Sequence, residues 1–441
     1  MIINFIEMYS FSSSKRKNSM KNIFGEILIQ SSVVPPKTVP LLKPIPNSTP
    51  VSIPIDTNTY LNNFVATPTN PNPSLPTQYF NGIQLKTLYN VPNIPVVASK
   101  KQVLIAIIIA YSYPNLIQDL KKYWQNCSNF GSNSNPPTVN VHTMPGATFN
   151  AGWAVEECLD VQMVCTINPN ANIWVVEAKS SSTADLLAAV QYANITLQAD
   201  VLSMSWGGND GPFLSNTVNN SYFTDASKCY CASSGDSNTV SWPAVSTNCI
   251  AVGGTTLLWT PNALNQRTEF TWVNAGSGYS ITFPTPSYQS QQNTNAKRCI
   301  PDISLIAGVS SLVYIYCSCG TNNPWIPVSG TSVSSPIFAA IVSIADQGRF
   351  NQGKSALTSV YSKTPLTPNT SISPSNSLQN YLYKTILTHP SEYSADFNDI
   401  TIGNDTAGGS SPIYNAATGF DVATGIGSPN VAAFCADLLN I

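Results

Sequence analysis

The sequence predicts an α/β protein: one large domain on a doubly wound, mostly parallel sheet with helices on both faces. Three observations predict it. Residues 103–110 (VLIAIIIA) are apolar on both faces, which suits a central parallel strand. Strand-like and helix-like stretches then alternate down the chain. Polar residues able to do chemistry fall where the predicted strands end, the edge at which such sheets gather reactive groups.

Each element follows from its residues. Residues 1–78 are rich in Pro, Ser, Thr and Asn, as in 34–40 (VPPKTVP) and 67–73 (TPTNPNP). Such a segment buries too little to offset its ordering, so an extended or disordered leader is expected. The folded unit, 79–441, begins near Tyr79. After the strand at 103–110, residues 116–124 predict an amphipathic helix, with Ile117, Leu120 and Trp124 at helical spacing. Residues 154–165 predict a second helix, 173–178 a strand, and 183–193 a helix packed through Ala and Leu. Residues 201–206 (VLSMSW) predict a strand closed by Gly207-Gly208, and 229–232 and 249–252 two more. Residues 329–336 (SGTSVSSP) form a small-residue turn into an apolar helix, 337–342 (IFAAIV). Pro336 is expected in its first turn, where a missing N–H costs little. Ser332 then stands near the positive end of the helix dipole.

Composition narrows the function classes. The chain has 441 residues, a net charge of −2 and only 10% charged residues. No basic run beyond Lys15-Arg16-Lys17 is of useful length, so nucleic acid is not an expected partner. The longest apolar run is too short to cross a bilayer, and a soluble monomer is expected. The apolar N-terminus is broken by Glu7 and is followed, not preceded, by basic residues, which makes a poor signal peptide. Compartment stays open, an acidic or extracellular setting included. The ten cysteines leave free thiols and disulfides both open. Cys229-Tyr230-Cys231 and Cys317-Ser318-Cys319 lack the two-residue gap of a zinc knuckle.

A serine hydroxyl is a weak nucleophile until a base takes its proton. The usual base is histidine, and only His142 and His389 are present. Neither lies in a His-Gly-Thr setting, and the first strand ends Ile109-Ala110-Tyr111-Ser112, where a subtilisin would carry an aspartate. A Ser-His-Asp triad is therefore disfavoured. Glu156 and Asp160 offer another base. Four residues apart, they share one helix face. Like charges there repel unless their environment separates their pKa values, so that two carboxyls share a proton. A solvated acidic face is the alternative, and Glu157, pointing elsewhere, suits it better. Residues 232–237 (ASSGDS) bring a third carboxyl, Asp236, to a strand tip. It could be a turn residue; protonated, its O–H could donate to a developing oxyanion.

With these stretches in hand, the chain resembles the sedolisin family, the serine-carboxyl peptidases with a subtilisin-like fold. Glu156 and Asp160 are similar to the family's helical acid pair, and 201–207 (VLSMSWG) to its central strand. Residues 233–237 (SSGDS) resemble its oxyanion segment, 242–244 (WPA) and 251–255 (AVGGT) the strand after it, and 300–304 (IPDIS) the stretch before the nucleophile. Residues 329–332 with Pro336 resemble the nucleophile motif. The resemblance spans roughly residues 80–440. It implies Ser332 as nucleophile, Glu156 as general base and later acid, Asp160 holding Glu156 and sharing its proton, and Asp236 stabilising the oxyanion. Carboxyl bases have pKa values near 4, so peptide-bond hydrolysis through an acyl-enzyme with an acidic optimum is expected.

Near the C-terminus, 397–401 (FNDIT) and 417–421 (ATGFD) bracket a Gly/Ser-rich stretch. Two carboxylates plus loop carbonyls suit a hard cation. The resemblance implies one structural Ca2+ held by Asp399, Ile400, Ala417, Gly419 and Asp421, with Ala417 where glycine is usual. The family is generally made with a long folding prosegment, and this leader is too short and Pro-rich to look like one. Two rivals remain. One is an inactive protease fold used for binding or structure. The other is a glycosidase using Glu156 and Asp160, which leaves Ser332 and Asp236 unexplained.

Overall fold

The computed structural model describes residues 28–29, 32–33, 77–127, 135–259, 267–319, 324–360, 377–406 and 413–441. Two short strands, β1 (Leu28–Ile29) and β2 (Ser32–Val33), come from the leader; the remainder of residues 1–76 lies outside the described residues. From residue 78 on come β3 (Gln78–Phe80) and α1 (Gly82–Leu88). Alternation then sets in: β4 (Leu104–Ala110), α2 (Leu116–Cys127), β5 (Val139–Thr143), α3 (Ala151–Ile167), β6 (Asn172–Ala178), α4 (Thr183–Gln191) and β7 (Val201–Met204). Next come β8 (Trp206–Asn209), β9 (Cys229–Ser233), β10 (Ser241–Trp242), β11 (Cys249–Trp259) and β12 (Arg267–Thr271). A hairpin, β13 (Gly278–Pro284) and β14 (Lys297–Ile300), precedes β15 (Ile303–Ile306), β16 (Ser311–Tyr316) and β17 (Trp325–Ser329). The long α5 (Thr331–Asn351) follows, and α6 (Val431–Leu438) closes the chain.

The main sheet runs β12-β11-β9-β7-β4-β6-β5, with β15 also on β11. Every pair in it is parallel except β11 with β12. β4 sits at its centre because it is buried on both faces, between α3 and α4. α3 and α5 lie against each other, and α5 also covers β7, β9 and β11. Both helices are apolar almost all round and buried along most of their length. Among the described residues, no helix is long and apolar enough to cross a membrane.

Several expectations shift by a residue or a face. Ile117 is exposed; α2 buries Leu116, Leu120, Tyr123 and Trp124 instead, a stripe rotated to meet the core. The strand expected through 206 breaks at Ser205, and Trp206 opens β8, which pairs with β10 and β1 rather than with the main sheet. After Gln191, α4 continues as a π-helical turn, Tyr192–Leu197. α5 starts earlier than expected, so Pro336 lies in its second turn. A proline there has no N–H to bond the Ser332 carbonyl one turn back. Nine cysteines are buried free thiols; the Cys127 side chain lies outside the described residues.

Candidate active site

The site forms where neighbouring parallel strands β7 and β9 end and α5 begins. β7 delivers Ser205, and β9 leads through Ser233-Ser234 to Gly235 and Asp236. Gly235 has φ +117 and Gly330 has φ +131, conformations that favour glycine. The second of these lets β17 turn straight into α5, which places Thr331 and Ser332 in the helix's first turn.

Gly330 has no side chain with which to cap that helix. Asp236 does so from the other loop: its Oδ1 accepts from Thr331 N–H at 2.9 Å and from Thr331 Oγ1 at 2.8 Å. Its Oδ2 is buried with no hydrogen-bond partner. Burial holds the Asp236 carboxyl well above the usual carboxylate range. The two Thr331 bonds work against that shift, and the Glu156 charge works with it. A protonated Asp236 therefore has an O–H to offer on its unused oxygen. The loop is fixed from behind by Gly276, whose N–H donates to Gly235 O at 2.7 Å.

The acid pair sits on α3. Glu156 and Asp160 are both fully buried. Asp160 Oδ1 accepts from Ser205 Oγ at 2.7 Å, and that same oxygen lies 3.5 Å from the Ser332 carbonyl left open by Pro336. Ser332 Oγ in turn lies 3.4 Å from the Ser205 carbonyl. Burial, then the neighbouring Glu156 charge, pushes Asp160 well above the ordinary carboxyl range, against the Ser205 hydrogen bond. Glu156 thus stands within electrostatic reach of both Asp160 and Asp236. The fold brings all four expected residues to one place.

Glu157 does not follow expectation. It is buried, and burial together with the Glu177 carboxyl beside it pushes it well above its usual range. Glu177 accepts from the Tyr113 amide at 2.9 Å and from the Thr143 hydroxyl, so this second carboxyl pair braces α3 against β5 and β6. Sequence spacing misses it because Glu177 comes from another strand. It also misses Ser205 and Thr331, ordinary small residues whose roles appear only once three segments meet.

Neither histidine enters the site. His142 sits on β5, the sheet edge, its ring stacked on Tyr192 at 3.8 Å between centroids. His389 is exposed before the short helix Pro390–Asp396. β4 runs out at Tyr111, in the left-handed region at φ +64, with no carboxylate there.

The C-terminal aspartates lie on two loops that meet. Gly419 N–H donates to Asp399 Oδ2 at 2.9 Å, and Ala417 N–H to Asp421 Oδ2 at 3.0 Å. Tyr393 OH donates to Asp399 Oδ1 at 3.0 Å. Asp421 Oδ1 takes the amides of Ala423 and Thr424 at 2.9 and 2.8 Å, so its orientation is set by its own turn. Two carboxylates held on meeting loops are oxygen donors of the kind a hard cation takes.

Comparison with known proteins places this geometry in company. A family model described as the subtilase family matches residues 107–401. Sedolisin of Pseudomonas sp. (strain 101) is 30% identical over 281 residues, 60% of this chain and 40% of that protein. Kumamolisin of Bacillus sp. (strain MN-32) is 28% identical over 302 residues, 62% of this chain and 48% of its own. Rat tripeptidyl-peptidase 1 is 25% identical over 332 residues, covering 65% and 52%. The chain thus spans about half the length, or less, of these curated relatives. A solved Pseudomonas sedolisin, a serine-carboxyl proteinase complexed with pseudo-iodotyrostatin, superposes with a TM-score of 0.67 at 24% identity. The match covers 83% of this chain and 99% of that one, which shows the shared fold.

Proposed function

The chain belongs to the subtilase family, and from that premise we propose that it is a serine-carboxyl peptidase acting at acidic pH. The observation that carries the proposal is a linked set of three buried carboxyls with no histidine among them: Asp236 caps α5, Asp160 is held by Ser205, and Glu156 lies within electrostatic reach of both. Ser332 Oγ attacks the scissile carbonyl, and Glu156 takes its proton and later gives it to the leaving amine. Asp160, held by Ser205, keeps the shared proton next to Glu156 and so keeps that base ionisable. Asp236 stays protonated and donates from its free oxygen to the tetrahedral oxyanion. Acid favours the arrangement because two of the three carboxyls must hold a proton while one gives it up.

The leader supports a peptide as substrate. β1 pairs antiparallel with β8, Leu28 opposite Gly207 and Ile29 opposite Trp206. β2 pairs antiparallel with β17, Val33 opposite Val328 and Ser32 opposite Ser329. β8 follows Ser205 and β17 precedes Ser332, so both edges that flank the site accept an extended backbone. A substrate chain would add to them in the same way. The inactive-fold alternative has no missing residue to explain it.

Calcium belongs to the same proposal as a structural ion. Asp399 and Asp421, with the carbonyls of Ile400, Ala417 and Gly419, would hold it, and it would neutralise two carboxylates and pin the loops between the helix Pro390–Asp396 and α6. It takes no part in the chemistry.

The test is hydrolysis of a mixed peptide library at pH 4. Ser332→Ala should lower kcat by about 10^4-fold or more, as for other lost nucleophiles. Wild-type rates in the folded variant would exclude Ser332 as nucleophile.

A further inference from the structure

The sequence spacing Cys-x-Cys is wrong for a zinc knuckle, but the fold supplies what the spacing lacks. Cys317, just after β16, faces Cys158 on α3 and Asp119 on α2, and Cys319 stands against Cys317. The ligand atoms of Asp119, Cys158 and Cys317 all lie within 4.8 Å of one another. Cys319 Sγ is 2.9 Å from Cys317 Sγ. All four residues are buried. We propose that Cys158, Cys317, Cys319 and Asp119 bind one thiolate-seeking divalent cation of the zinc class.

Three sulfurs and one carboxylate oxygen are a donor set for a tetrahedral d10 ion. With Zn–S near 2.3 Å, its sulfurs stand roughly 3.8 Å apart. The group as it stands needs Cys317 and Cys319 to part by about an ångström, the Asp119, Cys158 and Cys317 atoms to close by up to about as much, and Cys319, which lies outside that trio, to swing toward it. The carboxylate is already oriented from outside the cluster: Asp119 Oδ2 accepts from Tyr113 OH at 2.5 Å and from Ser318 N–H at 2.7 Å. That is the work of a second shell. The two outer thiols now point at backbone carbonyls of α3, Cys317 at Ala154 O (3.7 Å) and Cys319 at Ala151 O (3.4 Å). The cation would replace the thiol protons, which leave to solvent as it binds.

The position gives the site a purpose. Cys158 lies between Glu156 and Asp160 along α3. Residues 317–319 follow β16, whose partner β17 runs into Ser332. The ion would tie the acid-bearing helix to the hairpin that delivers the nucleophile. Because binding releases protons, its hold should weaken in acid. The inference does not depend on the peptidase proposal, and its readouts need no activity.

The full chain is purified under reducing conditions and loaded with one equivalent of Zn2+ or Co2+ at pH 7.5. Metal content, intact mass and the near-ultraviolet spectrum are then measured. The expected result is one tightly held ion per chain that survives gel filtration but not a zinc-selective chelator, with thiolate-to-cobalt bands in the Co2+ form. Cys158→Ser and Cys317→Ser should each cut metal content at least tenfold, and Cys165→Ser on the same helix should leave it unchanged. The cobalt spectrum of the wild-type chain decides the matter even if a variant fails to fold. A chain that takes up no metal with its thiols free overturns the proposal. So does a mass two hydrogens short that maps to a Cys317–Cys319 disulfide.

Discussion

Ser205 shows how much of the site rests on residues that announce nothing. Its hydroxyl donates to Asp160 at 2.7 Å and its carbonyl lies 3.4 Å from Ser332 Oγ, so it stands between the acid pair and the proposed nucleophile. It can do so because Pro336, one turn into α5, leaves the Ser332 carbonyl free to face it. Losing a hydrogen bond to a buried carboxyl costs about 1.5 kcal/mol, or roughly tenfold in rate if it is felt at the transition state. Ser205→Ala should lower kcat about tenfold, leave KM near its wild-type value, and shift the pH optimum as Asp160 loses its only donor among the described residues. Steady-state kinetics across pH checks this; an unchanged profile would make Ser205 a packing residue only. That Ser332, Glu156, Asp160 and Asp236 belonged together was readable as an expectation, from a helical acid pair, a strand-tip aspartate and a serine at a helix start standing in the order of a known family. Ser205 and the Glu157–Glu177 pair were not, because their meaning lies in partners from other segments.

At the scale of elements, apolar pattern was the reliable guide. β4 and the acid-bearing helix both read correctly, since a run buried on every side needs no phase. Phase was where the reading slipped: α2 turned Ile117 outward, and one strand proved to be two, broken at Ser205. A break there frees β8 to leave the main sheet and present its edge to an added strand. The C-terminal loops test a different kind of element, one held by polar contacts. Asp399 reaches across to Gly419 while Asp421 is held within its own turn, with four backbone amides and the Tyr393 and Thr424 hydroxyls already engaged. EGTA should lower the melting temperature by several degrees, and added Ca2+ should restore it, read by scanning calorimetry; no response to either counts against a calcium ion there. EGTA also binds Zn2+, so zinc content is read alongside the melting temperature and restoration by Ca2+ alone marks the calcium site.

Across the whole molecule, buried acids set the response to pH. Burial holds Asp160 and Asp236 well above the ordinary range and lifts Asp396 to about 6, against a hydrogen bond from Tyr381. Such groups bind their protons more tightly folded than unfolded. Their contribution to stability is complete below the unfolded value, about 4, and is lost as pH rises through the folded value. For Asp396 that window is pH 4 to 6, and for Asp160 and Asp236 it reaches higher. The melting temperature should therefore fall between pH 4 and pH 7 at constant ionic strength; a rise over that range would contradict these directions. An acid-stable fold and the proposed acid-active site would then have one origin, carboxyls taken out of water. With charged residues at only 10%, few exposed carboxylates oppose that trend.

The central claim is that a buried carboxyl does the work of an imidazole. Its most direct test is kcat/KM against pH for the wild type, Glu156→Gln and His142→Ala on one peptide substrate. The account predicts an optimum in acid, a loss of at least about a thousandfold in Glu156→Gln across the range, and an unchanged His142→Ala. A rate that climbs toward neutral pH, survives Glu156→Gln and falls with His142→Ala would contradict it.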